Sequence, residues 1–136
     1  MKNGLTVALA TTLSILPATE ATAQAASPMI ARAKALLADR MADPSSLQFR
    51  KLRTVRETIQ GNALTVACGE YNAKNKMGGY IGFKTFAYEP TTLKGVMTFD
   101  GAEFDYFTED GADFEKTGAF GEANARILAV CLGMKQ

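Results

Sequence analysis

The 136-residue chain contains no histidine and no tryptophan. Histidine is the commonest general base, so its absence excludes every Ser-His-Asp or Cys-His catalytic arrangement and any zinc site that relies on imidazole. Cysteine is scarce: Cys68 and Cys131 are the only two, and they are not in a C-x-x-C arrangement, which argues against a redox pair or a metal-binding knuckle. The longest apolar run, Leu5 to Leu16, ends at Pro17, well short of the roughly 20 residues that span a bilayer as a helix. No excess of either charge is present, since fifteen basic and fourteen acidic residues leave a formal +1. Nothing in that balance calls for nucleic acid or an anionic membrane surface. No Gly-Lys-Ser/Thr string opens a helix, so a P-loop is absent.

What is present begins with a leader. Lys2 precedes the apolar run, and small residues stand at the right spacing in Ala21-Thr22-Ala23 and Ala23-Gln24-Ala25. This is the pattern of a cleaved signal peptide covering residues 1–25, with cleavage near Ala25 and no cysteine there to take a lipid anchor. The expected product, residues 26–136, is one α+β domain, periplasmic or secreted, with no stable membrane anchor. In such a compartment Cys68 and Cys131 are expected to pair. The bridge would close a loop of roughly 60 residues, for which the chain-entropy estimate is about 4 kcal/mol.

Periodicity divides the domain. Pro28 to Met41 is predicted as a helix, with Ser27 as N-cap, Pro28 at the first helical position and Ile30, Ala33, Leu37 and Met41 on one face. Asp43-Pro44-Ser45-Ser46 stops it. Phe49 to Ile59 suits an extended strand with neither alternate set cleanly apolar, as at a sheet edge. After the turn signal Gln60-Gly61-Asn62, Leu64, Val66 and Cys68 alternate as on a half-buried strand. Tyr80 to Tyr88, a strand carrying Leu93, Met97 and Phe99, and Glu103 to Thr108 follow as a meander. A last helix from Phe120 to Leu132 places Ala123, Ile127, Leu128 and Cys131 on one stripe, with Gly133 as C-cap. The expected fold is therefore an N-terminal helix, a four- to five-stranded antiparallel sheet and a C-terminal helix pinned to the sheet by Cys68–Cys131, arranged as two layers.

Two segments invite a functional reading. In the first, Asn72, Lys74, Asn75 and Lys76 precede Gly78, Gly79 and Tyr80, an amide- and lysine-rich connection before aromatics. Backbone N–H groups at Gly78 and Gly79 are candidates for an anion nest, with Lys74 or Lys76 supplying charge. The plainer reading is a hairpin connection in which amides cap turns and glycine supplies positive φ. In the second, Asp100, Glu103, Asp105, Glu109, Asp110, Asp113 and Glu115 occur without one basic residue. The spacing rejects an EF-hand, because the first ligand position would fall on Tyr106 or Val96. Carboxylates such as Asp105 and Glu109 are candidates for glycosidase chemistry, against a solvated acidic edge as the plainer reading. A basic stretch from Arg32 to Arg56 is its counterpart in charge.

The strings Asp43-Pro44-Ser45-Ser46 through Phe49-Arg50, and Cys68-Gly69-Glu70 through Asn72-Ala73-Lys74-Asn75 to Gly78-Gly79-Tyr80-Ile81-Gly82-Phe83, carry a resemblance. The chain resembles a family of small exported bacterial proteins of uncharacterised function with D-P-x-S-x-x-F-R and C-G-x-x-N-A-K-N-x-x-G-G-Y-x-G-F motifs. That resemblance implies export and a shared fold, and it brings no reaction, ligand, cofactor or catalytic residue. The leading expectation is a non-catalytic periplasmic or secreted binding module that uses the Asn72–Phe83 segment as its contact surface, toward an envelope protein or a small anionic ligand. An inhibitor or immunity protein against an envelope-acting enzyme is a second reading, and a carboxylate-dependent envelope hydrolase a third.

Overall fold

The computed structural model describes residues 27–110 and 121–134. The leader, Asp113, Glu115 and Phe120 lie outside the described residues. Helix α1 spans Pro28–Arg40 and a single 3-10 turn spans Pro44–Ser46. Five strands follow: β1 Gln48–Ile59, β2 Asn62–Asn72, β3 Lys84–Glu89, β4 Gly95–Phe99 and β5 Phe104–Thr108. Helix α2, Glu122–Cys131, comes after them. The strands form one antiparallel sheet in the order β1-β2-β3-β4-β5. This is the expected meander, with the basic β1 at one edge. Among the described residues no helix is long and apolar enough to cross a membrane.

Local chemistry explains the boundaries. The two-residue loop Gln60-Gly61, with φ of 49° and 80°, joins β1 to β2. Two consecutive left-handed residues match the twist of a tight hairpin. Ser27 begins α1 through its backbone, its carbonyl accepting the N–H of Ala31 at 3.0 Å, but its side chain makes no cap bond. Pro28 fills the first helical position and dispenses with one donor there. At the other end of the chain, Gly133 adopts φ of 72° and the N–H groups of Met134 and Gly133 reach the carbonyls of Ala129 and Val130. That double bond pattern is a Schellman cap on α2.

The helices lie on opposite faces of the sheet, so the molecule has three layers and not the expected two. Leu64, Val66 and Cys68 of β2 join Ala87, Met97, Ile127, Leu128 and Cys131 in one buried cluster under α2. The alternate residues Ala67 and Tyr71 join Phe86, Tyr88 and Val96 under α1, with Ile30, Ala33, Leu36 and Leu37. Both faces of the central strands are buried, because β2 and β3 carry apolar side chains at odd and even positions alike. Gly69 lets the layers close: a Cβ there would meet Leu52 at 2.7 Å and the Phe86 ring at 2.8 Å.

The disulfide joins Cys68 to Cys131 across a Cα–Cα distance of 5.2 Å, fixing α2 to the middle of the sheet. Arg53 adds a second tie, donating from Nη2 to the Cys131 carbonyl at 2.8 Å. A cation there satisfies an orphan carbonyl at the negative end of the helix. The β3–β4 turn is organised by a buried carboxylate. Glu89, 2 % exposed, accepts the N–H and hydroxyl of Thr91 on Oε1 and the N–H groups of Thr92 and Leu93 on Oε2, at 2.5–3.0 Å. Burial raises its pKa, but these donors outweigh burial and leave it below the ordinary glutamate value.

Candidate functional site

Strand β3 starts four residues later than its aromatic content suggests. Tyr80 makes only an isolated bridge with Lys74, and Gly82 turns the chain with φ of 90°, so residues 73–83 form a connection and not a strand. Asn75 builds its first half. Its backbone N–H and carbonyl pair with the Gly79 carbonyl at 2.8 Å and the Gly78 N–H at 3.0 Å. Its side-chain Oδ1 accepts the N–H groups of Met77 at 3.0 Å and Gly79 at 3.1 Å.

The donors proposed for an anion nest are therefore engaged by the loop's own Asn75. Gly78 contributes the positive φ, 82°, that the turn requires. The chemistry is that of the plainer reading, amides capping a turn.

The loop is braced from below by the 3-10 turn. Ser46 Oγ accepts the Lys74 N–H at 2.8 Å and donates to the Asp43 carbonyl at 2.7 Å. The Tyr80 hydroxyl donates to the Ser46 carbonyl at 3.3 Å, and the Lys74 ammonium stands 5.5 Å from the Tyr80 ring centroid. The Asp43-Pro44-Ser45-Ser46 string is thus the platform on which the second motif rests. Asn72 does not belong to the exposed part. It is 8 % exposed at the end of β2, and its Oδ1 has no hydrogen-bond partner among the described residues.

On that braced loop the apolar side chains point outward. Met77 is 93 %, Tyr80 46 %, Ile81 43 % and Phe83 36 % exposed. Only two other large apolar residues among those described, Phe104 and Met134, are comparably exposed. Four such side chains within seven residues, on a loop fixed by hydrogen bonds at both ends, form a patch of the kind that marks an interaction surface.

Cations collar the patch. Arg50 places its guanidinium carbon 3.7 Å from the Phe83 ring centroid and bonds Glu70 through Nε. Lys51 reaches the other Glu70 oxygen at 3.0 Å. Burial raises the Glu70 pKa, but hydrogen bonds and charge from Arg50 and Lys51 hold it below the ordinary glutamate value. Both cations reach one carboxylate because β1 bulges between Arg50 and Arg53, where Lys51 takes φ of 54°. Beside this pair lies a cavity of about 370 Å³ lined by Lys51, Arg53, Gly69, Glu70, Thr85 and the Cys131–Gly133 end of α2.

The Asn72–Phe83 segment, with Lys74, Lys76 and Tyr80 in it, was legible from sequence as a contact surface, whereas Arg50, Lys51 and Glu70 were not assigned to the site. The Phe49-Arg50 and Cys68-Gly69-Glu70 strings within the two motifs were the signal available for part of this set.

Among its described residues the acidic segment assembles no comparable site. Asp100 caps its own turn, accepting the N–H groups of Ala102 and Glu103 at 2.9 Å, and stands 3.5 Å from Lys84. Asp105 is 3.9 Å from the same lysine. Glu109 takes the Tyr88 hydroxyl at 2.5 Å and faces Arg32 at 3.5 Å. Burial and the adjacent Glu109 push the Tyr88 hydroxyl up to about 12. Asp105 and Glu109 are thus held by different partners. No cluster of three or more metal-ligating side chains occurs among the described residues. The chain matches no protein-family model, no curated protein and no solved structure.

Proposed function

We propose that the protein is a non-catalytic binding module of the bacterial cell envelope, contacting a protein partner through residues 73–83. The observation that carries this reading is the outward display of Met77, Tyr80, Ile81 and Phe83 on a hydrogen-bonded loop. Exposed apolar area costs solubility, and a loop that is rigid before binding loses little entropy when it binds. The leader pattern and the buried disulfide support an oxidising compartment.

A photo-crosslinking side chain at position 77 or 81, expressed in the exporting bacterium, tests the assignment. The expected result is one shared crosslinked product from both positions and none from Gln60, which lies at the opposite end of the β1–β2 hairpin, about 35 Å away at strand rise. An identical product from Gln60, or no discrete product from either loop position, would count against the loop as the contact surface.

A further inference from the structure

We infer that the partner segment is acidic, presenting carboxylates beside apolar side chains, and that Arg50 and Lys76 receive its charge while Met77 and Ile81 receive its apolar groups. This deepens the loop-contact reading and rests on it. The first support is charge. Arg50 lies against Phe83, Lys74 stands by Tyr80, Lys76 precedes Met77 in the chain, and Lys51 and Arg53 line the neighbouring cavity, while the carboxylate among them, Glu70, is already shared by Arg50 and Lys51. Such a surface meets an acidic partner favourably and repels a basic one.

The second support is the setting of Arg50. Its Nε is held by Glu70 and its plane lies against Phe83, so the guanidinium is oriented before any partner arrives. The side chain is half exposed, and its two Nη groups have no partner among the described residues. A fixed guanidinium edge with two donors matches a carboxylate bidentately, which a mobile ammonium does not. Lys76, exposed, supplies a second positive charge beside Met77.

The third support is shape. The cavity bounded by Lys51, Arg53, Glu70 and Thr85 is concave and adjoins the Arg50–Glu70 pair. A side chain of a peptide can enter such a recess, whereas a flat bilayer surface meets only the protruding apolar tip. The observations therefore favour an acidic peptide over an anionic membrane.

Fluorescence anisotropy with a short end-capped peptide of alternating glutamate and leucine, compared with its glutamine counterpart, tests the inference on the full mature protein. The glutamate peptide is expected to bind at least about tenfold more tightly than the glutamine peptide and to weaken as salt rises. Arg50→Gln and Lys76→Gln should each reduce that preference severalfold. Lys76 is exposed, so Lys76→Gln carries the test even if Arg50→Gln loosens the fold.

Equal binding of the two peptides overturns the charge inference. So does failure of both peptides while position 77 still crosslinks its partner, and in both cases the loop-contact reading stands. Sedimentation with phosphatidylglycerol vesicles, dependent on Lys76 and without binding of the glutamate peptide, would assign the cations to a membrane and overturn the inference. Failure of both the crosslink and the peptide would remove the two readings together.

Discussion

Two connections between neighbouring strands solve the same backbone problem with opposite outcomes. In the β3–β4 turn the Glu89 carboxylate gathers three backbone N–H groups and a hydroxyl. In the 73–83 connection the Asn75 carbonyl oxygen gathers two N–H groups. Both use a side-chain acceptor to satisfy donors that a sharp turn leaves unpaired. The first then sends Leu93 inward, 1 % exposed, into the cluster that holds the disulfide. The second sends Met77 and Ile81 outward. A side-chain acceptor orders the backbone in both, so the outward apolar residues stand on a hydrogen-bonded turn. The contrast also relocates the anion nest. The amides that cradle a negative charge are those of residues 91–93, and their anion is the chain's own Glu89.

The disulfide gives the largest lever on this comparison. Cys68, Cys131 and Leu93 share one cluster, whereas the 73–83 loop is tied to the 3-10 turn. Cys68→Ala/Cys131→Ala is expected to cost about 4 kcal/mol in urea unfolding, given the 63-residue separation. Under native conditions, hydrogen exchange should accelerate more at Thr92 and Leu93 than at Asn75 and Gly79. Faster exchange confined to the loop would show that the two connections are not independently supported.

Glu89→Ala comes next, at about 3 kcal/mol, because it leaves the buried Leu93 N–H and the part-buried donors of Thr91 and Thr92 without their acceptor. Glu89→Gln should cost roughly half as much, since one oxygen remains. The pH dependence has a definite sign. The folded-state pKa lies below the ordinary value of 4.5, so the carboxylate's contribution is present above that value and is lost as pH falls through the folded pKa. Chemical denaturation across pH 3–7 should show wild type losing stability in acid more steeply than Glu89→Gln. Parallel curves for the two would mean that Glu89 does not hold the turn as a carboxylate.

How legible these features were depended on how local they are. The Leu64-Val66-Cys68 alternation, the Gln60-Gly61 turn and the Gly133 cap follow from residues close in sequence, and with them came the disulfide, because both cysteines sit on apolar stripes. The third layer was harder to read. Ala67 and Tyr71 sit between the members of the obvious stripe, and only their packing with Phe86 and α1 shows that β2 is buried on both faces. The start of β3 was misplaced because aromatic content favours a strand while the positive φ at Gly82 forbids its continuation. Arg50, Glu70 and Phe83 meet through cross-strand register and the bulge at Lys51, which no periodicity encodes.

Asn75→Ala separates the latch from the surface it presents. Removing Oδ1 frees two exposed N–H groups that water can satisfy, so the stability loss should be about 1 kcal/mol. Asn75→Asp keeps the acceptor and should lose less. Crosslinking from position 77 is expected to fall severalfold in Asn75→Ala, because a loose loop must be ordered at the moment of contact. Full crosslinking by that variant would mean that pre-ordering of the loop contributes nothing to recognition.

Met77→Ser/Ile81→Ser has the smallest expected effect on the fold and for that reason sharpens the comparison most. Both side chains are exposed and neither is a member of a core cluster, so unfolding free energy should stay within about 0.5 kcal/mol of wild type. Leu93→Ser, at the matching place in the other connection, should cost several kcal/mol through a cavity and a buried hydroxyl. Binding should divide the opposite way: a crosslinker at Tyr80 is expected to lose its product in Met77→Ser/Ile81→Ser and to keep it in any folded Leu93→Ser protein. If the double variant instead loses stability by as much as Leu93→Ser does, the outward residues hold the fold together, and their exposure ceases to be evidence of a partner.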